Sequence, residues 1–215
     1  MKVLELFAGS RSIGKVCDEL GHKVWSSDWT EFDGIDYVAD IMDFNIDKVP
    51  FIPDVIWASP PCTTFSVASI GKHWDVNKNP KTLEAVKGLD ILNRTIETIQ
   101  LYKHYNPKLV WYVENPRGMM RKMDVWNYIK HVRHTVTYCQ YGDTRMKPTD
   151  IWTNNYDWVS RPACKNGMNC HASAPRGSRT GTQGLKGNYQ RSIVQNELCK
   201  EIITSSCIYL KETEK

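Results

Sequence analysis

The sequence predicts an α/β domain, a mostly parallel sheet with helices on its faces. Three observations carry this. A short apolar strand, Val3-Leu4-Glu5-Leu6-Phe7, runs through a glycine-containing turn, Ala8-Gly9-Ser10-Arg11-Ser12-Ile13-Gly14, into a helical pattern. Two later apolar runs, Asp54-Val55-Ile56-Trp57-Ala58 and Leu109-Val110-Trp111-Tyr112-Val113, read as buried strands. Between them Leu83, Val86, Leu89, Leu92, Ile96 and Ile99 recur at helical spacing, so a helix from Thr82 to Tyr105 packs on the sheet. Strand and helix alternate in this way through about residue 155.

The first strand-to-helix turn in such a fold approaches a cofactor. A second strand ends at Ser26-Ser27-Asp28-Trp29. An acidic residue there, about twenty residues after the first turn, is placed to bind ribose hydroxyls. Trp29 beside it is suited to stacking on an adenine. A glycine turn alone is also an ordinary turn, and Asp28 is what adds weight to it.

The third strand leads into Ser59-Pro60-Pro61-Cys62-Thr63-Thr64-Phe65-Ser66. Each proline fixes its own φ and restricts the residue before it. A cysteine on so stiff a turn, past a strand end, is held at a chosen point, as a nucleophile requires. An ordinary loop with a small buried cysteine is the alternative. The polar stretch Gly71 to Asn79 that follows would serve either as a loop closing over a site or as plain surface. After Leu109–Val113 comes Glu114-Asn115-Pro116, at the carboxyl end of its strand, where ligands of open parallel sheets bind. A helix is expected over Pro116 to Ile129, and a strand over Thr135 to Cys139.

Residues 156 to 190 are polar, rich in Gly, Ser and basic groups, and poor in apolar periodicity. Cys164, Cys170 and His171 are three metal-type ligands close together. A zinc site needs a fourth, and the spacing fits no common finger, so no metal is assigned. From Arg191 a helix resumes, with Ser192 or Asn196 as its cap and Leu198, Ile202, Ile203 and Tyr209 on its buried face. The last residues, Lys211 to Lys215, are expected to fray.

Composition bounds the reading. The 215 residues suffice for one sizeable core. The net charge of +4 suits a nucleic-acid partner without requiring one. No apolar stretch is long enough to span a bilayer and no signal peptide opens the chain. Seven cysteines, an odd count with no framework spacing, imply a reducing compartment. A cytoplasmic location is expected.

In order along the chain, these segments resemble the cytosine-5 DNA methyltransferase family. Phe7-Ala8-Gly9 is similar to its first motif, Asp28-Trp29 and Asp40-Ile41 to its second and third, Pro60-Pro61-Cys62 with Phe65-Ser66 to its catalytic motif, and Glu114-Asn115-Pro116 to the motif of its catalytic glutamate. The resemblance covers roughly residues 1 to 155. It implies a Rossmann-like class I S-adenosylmethionine-dependent methyltransferase fold. It also implies S-adenosylmethionine bound by Phe7, Gly9, Ser10, Ser12, Ile13, Gly14, Asp28, Trp29, Asp40, Ile41 and Pro60. Arg11 stands near a point where the family commonly has glycine. Around Tyr141 to Thr149, the usual glutamine and paired arginines are replaced by Arg145, Lys147 and Thr149. Arg145 or Lys147 then stabilises charge on the base, or else the two are merely solvated or phosphate-touching cations.

The chemistry explains the residue types. Carbon 5 of cytosine is a poor nucleophile. A thiolate adding at carbon 6, here from Cys62, makes an enamine-like ring whose carbon 5 attacks a sulfonium methyl group. A carboxylic acid near N3, here Glu114, offsets the charge that builds on the ring.

The organisation expected is a catalytic and cofactor domain over residues 1–155, a reduced recognition insert over 156–190, and a C-terminal helix over 191–215 packing back. Arg161, Lys165, Arg176, Arg179 and Lys186 in the insert are expected to touch DNA phosphates. Such a chain suits a phage or mobile element with loose specificity, and recognition comes either from this chain's own insert or from a separate protein. The alternatives are a non-catalytic accessory relative and a cytosine methyltransferase acting on RNA or nucleotides.

Overall fold

The computed structural model describes residues 1–173 and 187–213. Its strands are β1 (Lys2–Leu6), β2 (Lys23–Asp28), β3 (Tyr37–Val38), β4 (Val55–Ala58), β5 (Val110–Pro116), β6 (Val132–Thr137) and β7 (Pro148–Thr153). They form one sheet in the order β3-β2-β1-β4-β5-β7-β6. β3, β2, β1, β4 and β5 run parallel, while β7 is antiparallel to both β5 and β6. The mostly parallel α/β fold is thus as expected. The strict alternation of strand and helix ends at β5, because only a 3₁₀ turn and a short loop separate β6 from β7.

The strands are apolar on both faces because both faces are covered. Along β4, Val55 and Trp57 face one layer, and Ile56 and Ala58 the other. The first layer holds α1 (Ser12–Glu19) and α5 (Asn196–Glu212), through Ile13, Val16, Leu198, Ile202 and Ile203. The second holds α3 (Leu83–Tyr105), through Leu92, Ile96, Ile99 and Tyr102. Thr82 caps α3, its hydroxyl accepting the Ala85 amide at 3.2 Å. Leu83 and Val86 belong to the expected stripe but are exposed, and Ala85 is the buried residue of that first turn.

Two other expectations are corrected. Pro116 to Ile129 is not one helix but two 3₁₀ turns, Met119–Lys122 and Asp124–Tyr128. Gly118 is fully extended there and bridges to Ser66, and Met120, Met123 and Trp126 anchor the turns in the core. The stretch after the cysteine is not a free loop. It contains α2 (Ile70–His73), and Trp74 is buried against Phe65, its indole N–H donating to the Thr64 carbonyl at 2.8 Å. Among the described residues no helix is long and apolar enough to cross a membrane.

Candidate active site

The strand order reverses between β1 and β4, and ligands of such sheets bind outside the carboxyl ends at that point. β1 delivers Phe7, Gly9 and Ser10 there, β2 delivers Asp28, and β4 delivers Ser59 to Cys62. β5 lies next to β4 and delivers Glu114 at its end.

The cofactor side begins at a sharp turn. Phe7, Gly9 and Arg11 all have positive φ, at 57°, 47° and 54°. Asp28 is buried, and its two carboxylate oxygens accept the Gly9 and Thr30 amides, each at 2.9 Å. Each oxygen keeps capacity for a further donor. Trp29 is 73% exposed beside it. Asp40 is exposed and caps the 3₁₀ turn of buried Ile41, its Oδ1 accepting the Met42 amide at 3.0 Å.

Glu5 is the residue that sequence reasoning missed. It lies inside an apolar strand, and that misplaced charge was its only signal. It is fully enclosed, and its carboxylate accepts the Ile13 and Gly14 amides at 2.9 and 3.1 Å and the Ser26 hydroxyl at 2.9 Å. Burial pushes its pKa from 4.5 up to about 7, against these three donors and the Arg11 charge. Ile13 and Gly14, expected in the cofactor set, therefore give their amides to Glu5. A helix N-terminus that would otherwise attract a phosphate is already satisfied. Arg11 turns away from the mouth, with Nε 3.2 Å from Ser26 Oγ and a guanidinium nitrogen 3.2 Å from Asp18.

A second missed element lies over the mouth. Ser12 Oγ accepts the Val194 amide at 3.1 Å and lies 2.8 Å from Ser10 Oγ. Tyr189 of α4 (Asn188–Ser192) packs on Phe32 at 5.4 Å between ring centroids.

The cysteine loop is fixed from two sides. Asn115 Nδ2 donates to the Pro60 carbonyl at 2.8 Å, joining the end of β5 to the Pro60-Pro61 turn. The Cys62 carbonyl accepts the Phe65 and Ser66 amides, both at 3.0 Å. Gly118 rests directly on the loop, where a Cβ would lie 2.1 Å from the Phe65 carbonyl oxygen.

Cys62, Glu114 and Lys147 form one electrostatic group. Burial pushes the Cys62 thiol up, Glu114 adds to that, and Lys147 opposes it. Burial likewise raises Glu114, opposed by Lys147 and by the Tyr138 hydroxyl, which donates to Glu114 Oε1 at 3.0 Å. Lys147 is pushed down by burial and held up by Glu114 and Cys62. Its Nζ donates to the Arg191 carbonyl at 2.8 Å and lies 4.5 Å from the Tyr138 ring centroid. Of the two expected cations, Lys147 is the one whose charge opposes the rise of both Cys62 and Glu114. Arg145 is buried and engaged by Asp143, with Nε 2.9 Å from Oδ1, while its Nη1 has no partner among the described residues.

No family model matches the chain. A curated relative, "Probable DNA (cytosine-5)-methyltransferase" of Frog virus 3 (isolate Goorha), is 32% identical over 209 residues, covering 89% of this chain and 92% of the relative. The chain belongs to the DNA (cytosine-5)-methyltransferase family. Its fold is similar to that of the solved Entamoeba histolytica methyltransferase EhMeth, with a TM-score of 0.50 and 15% identity over 77% of this chain. This chain spans 57% of the length of that structure. The S. pombe Dnmt2 methyltransferase gives a TM-score of 0.44 and 12% identity, covering 71% of this chain and 48% of its own.

The residues expected to touch nucleic acid divide three ways. Arg161 is committed internally: it pairs with Glu197 at 2.7 Å and Glu201 at 3.2 Å and stacks over Tyr141 at 4.5 Å. These contacts within the chain compete with phosphate for its charge, and the side chain stays 40% exposed. Lys165 is exposed. Arg176, Arg179 and Lys186 lie outside the described residues. The fourth metal-type ligand, judged missing from the sequence, is present in space, because the turn after β6 brings Cys139 to Cys164, Cys170 and His171.

Proposed function

We propose that this chain transfers the methyl group of S-adenosylmethionine to carbon 5 of cytosine in DNA, with Cys62 as covalent nucleophile. The convergence of Cys62, Glu114 and Lys147 outside the ends of neighbouring strands carries the reading. The viral relative's name favours DNA as the substrate.

The cofactor reading rests on donor chemistry. S-adenosylmethionine has ribose hydroxyls and an adenine but no phosphate. Asp28 has acceptor capacity for hydroxyls, Trp29 offers an exposed aromatic face, and Glu5 has closed the anion site of α1. Phe7, Gly9, Ser10, Ser12, Asp40, Ile41 and Pro60 complete the set. When bound, the cofactor supplies the electrophilic methyl group that carbon 5 attacks.

The chain's own residues do the rest. The Cys62 thiol loses its proton and its sulfur adds to carbon 6, moving the ring electrons toward carbon 5 and N3. Glu114, whose pKa burial raises, donates to N3 and limits the charge there. Lys147 favours the thiolate and the developing negative charge in a site of low dielectric. Loss of the carbon 5 proton to solvent, departure of the Cys62 sulfur as thiolate and return of the N3 proton to Glu114 restore the aromatic ring. Residues 156–190 act as a reduced recognition insert.

The test is a DNA oligonucleotide containing 5-fluorocytosine, incubated with S-adenosylmethionine. Fluorine cannot leave as a proton does, so the covalent adduct persists and resists denaturing electrophoresis. The parent should form it and Cys62→Ala should not, while Cys62→Ala still binds cofactor by calorimetry. Methylation of cytosine by Cys62→Ala at the parent rate would refute the assignment.

A further inference from the structure

Cys139 meets Cys164, Cys170 and His171, which lie well beyond it in sequence, beside the β6–β7 turn. Cys139 Sγ lies 3.1 Å from Cys164 Sγ and 3.8 Å from Cys170 Sγ. His171 Nδ1 lies 3.5 Å from each of the Cys164 and Cys170 sulfurs. All four ligand atoms fall within 4.8 Å of one another. A tetrahedral zinc with Zn–S of about 2.3 Å and Zn–N of about 2.05 Å sets its ligands about 3.8 Å apart for S···S and about 3.5 Å for S···N. The Cys139–Cys170 pair and both His171 pairs match that pattern, and the Cys139–Cys164 sulfurs are drawn closer.

The surroundings support ligation. His171 Nε2 is 3.5 Å from Asn166 Oδ1, an acceptor that favours the tautomer with a proton on Nε2 and leaves the Nδ1 lone pair for a metal. The Cys164 amide donates to Thr137 Oγ1 at 2.9 Å, and the Ala172 amide to the Thr144 carbonyl at 2.8 Å. The cysteine-bearing segment is thus tied at both ends to the turn it would share a metal with. Gly167, at φ 92°, lets the chain reverse between Cys164 and Cys170.

We propose that Cys139, Cys164, Cys170 and His171 bind one structural Zn²⁺ as a closed Cys₃His site. Each thiol gives its proton to the buffer, and the metal takes three sulfurs and His171 Nδ1. No position remains for water, so the site is structural and has no catalytic role. It clamps residues 159–173 to the turn that also carries Tyr138 and Lys147, and so orders the first part of the recognition insert. The assignment is independent of methyl transfer.

The experiment uses the full-length, untagged chain, purified under reducing conditions, with Co²⁺ as the probe and zinc measured by elemental analysis. The expected results are about one zinc per chain and, with Co²⁺, a thiolate-to-metal charge-transfer band with tetrahedral ligand-field bands. Cys139→Ser and Cys170→Ser should weaken Co²⁺ binding roughly tenfold or more. Cys207→Ser, beside Met1 and His22, should leave it unchanged. The parent spectrum decides the matter even if a variant fails to fold. Absence of the thiolate band in the reduced parent would overturn the proposal, as would equal binding by Cys139→Ser and Cys207→Ser. A Cys139–Cys164 disulfide persisting through the reductant in metal-free protein would also overturn it.

Discussion

Glu5 should make the stability of this protein fall as pH rises from 4.5 to about 7. Its carboxyl titrates near 4.5 in the unfolded chain and at about 7 in the fold. Between those values the folded state holds a proton that the unfolded state has lost. Stability from this residue is therefore fully present below pH 4.5 and is lost as pH rises to about 7. The slope is about 1.4 kcal/mol per pH unit, which over the window amounts to about 3 kcal/mol. Glu5→Gln mimics the protonated form and cannot titrate. It will shift absolute stability, because an amide nitrogen must face one of the donors at Ile13, Gly14 or Ser26. The informative quantity is the slope. Urea unfolding of parent and variant at pH 4.5, 5.5, 6.5 and 7.5 should show the parent losing about 3 kcal/mol more than Glu5→Gln across the series. Parallel curves would refute the argument, because other groups titrate equally in both proteins. The consequence reaches function, since Glu5 holds the start of α1 behind the Phe7–Gly9 turn.

Gly118→Ala should displace the cysteine loop, because a Cβ 2.1 Å from a backbone carbonyl forces backbone movement. We expect a loss of stability of about 1–3 kcal/mol in thermal unfolding and a fall in methylation rate of about a hundredfold; near-parent kinetics would contradict the packing. Lys147→Met removes the cation that opposes the rise of the Cys62 thiol. The rate should fall roughly 10²- to 10³-fold and the rising limb of the pH–rate profile should move to higher pH; an unshifted limb would mean that Lys147 does not act on Cys62. Asp28→Ala removes charge-assisted hydrogen bonds worth about 1.5–3 kcal/mol each, so calorimetry should show cofactor affinity at least roughly tenfold weaker, and unchanged affinity would remove Asp28 from the site.

Much of the candidate site was legible in the sequence because parallel sheets impose a rule. An apolar run followed by a turn marks a carboxyl strand end, and such ends gather at one edge. Asp28, Cys62 and Glu114 could therefore be brought together across more than eighty residues. The α3 stripe was legible from its period, although its first turn was misread, since propensity and spacing do not say where a helix leaves the sheet.

Other features depended on partners remote in sequence. No local signal says that Arg161 will find Glu197 and Glu201 on α5, or that the Glu5 carboxylate will close the start of α1. The Pro116–Ile129 segment carries helix-forming residues, yet the contact of Gly118 with Phe65 and the burial of Trp126 make it two short turns. Cys139 reached Cys164, Cys170 and His171 only because the hairpin of β6 and β7 returns the chain to the same edge. The sequence by itself determined the α/β class and the order of the chemical groups, since both follow from patterns along the chain. Tertiary structure decided which cation's charge bears on the cysteine, which arginine meets the acids of α5 and which cysteine joins the three later ligands, because these depend on distances between residues far apart in sequence.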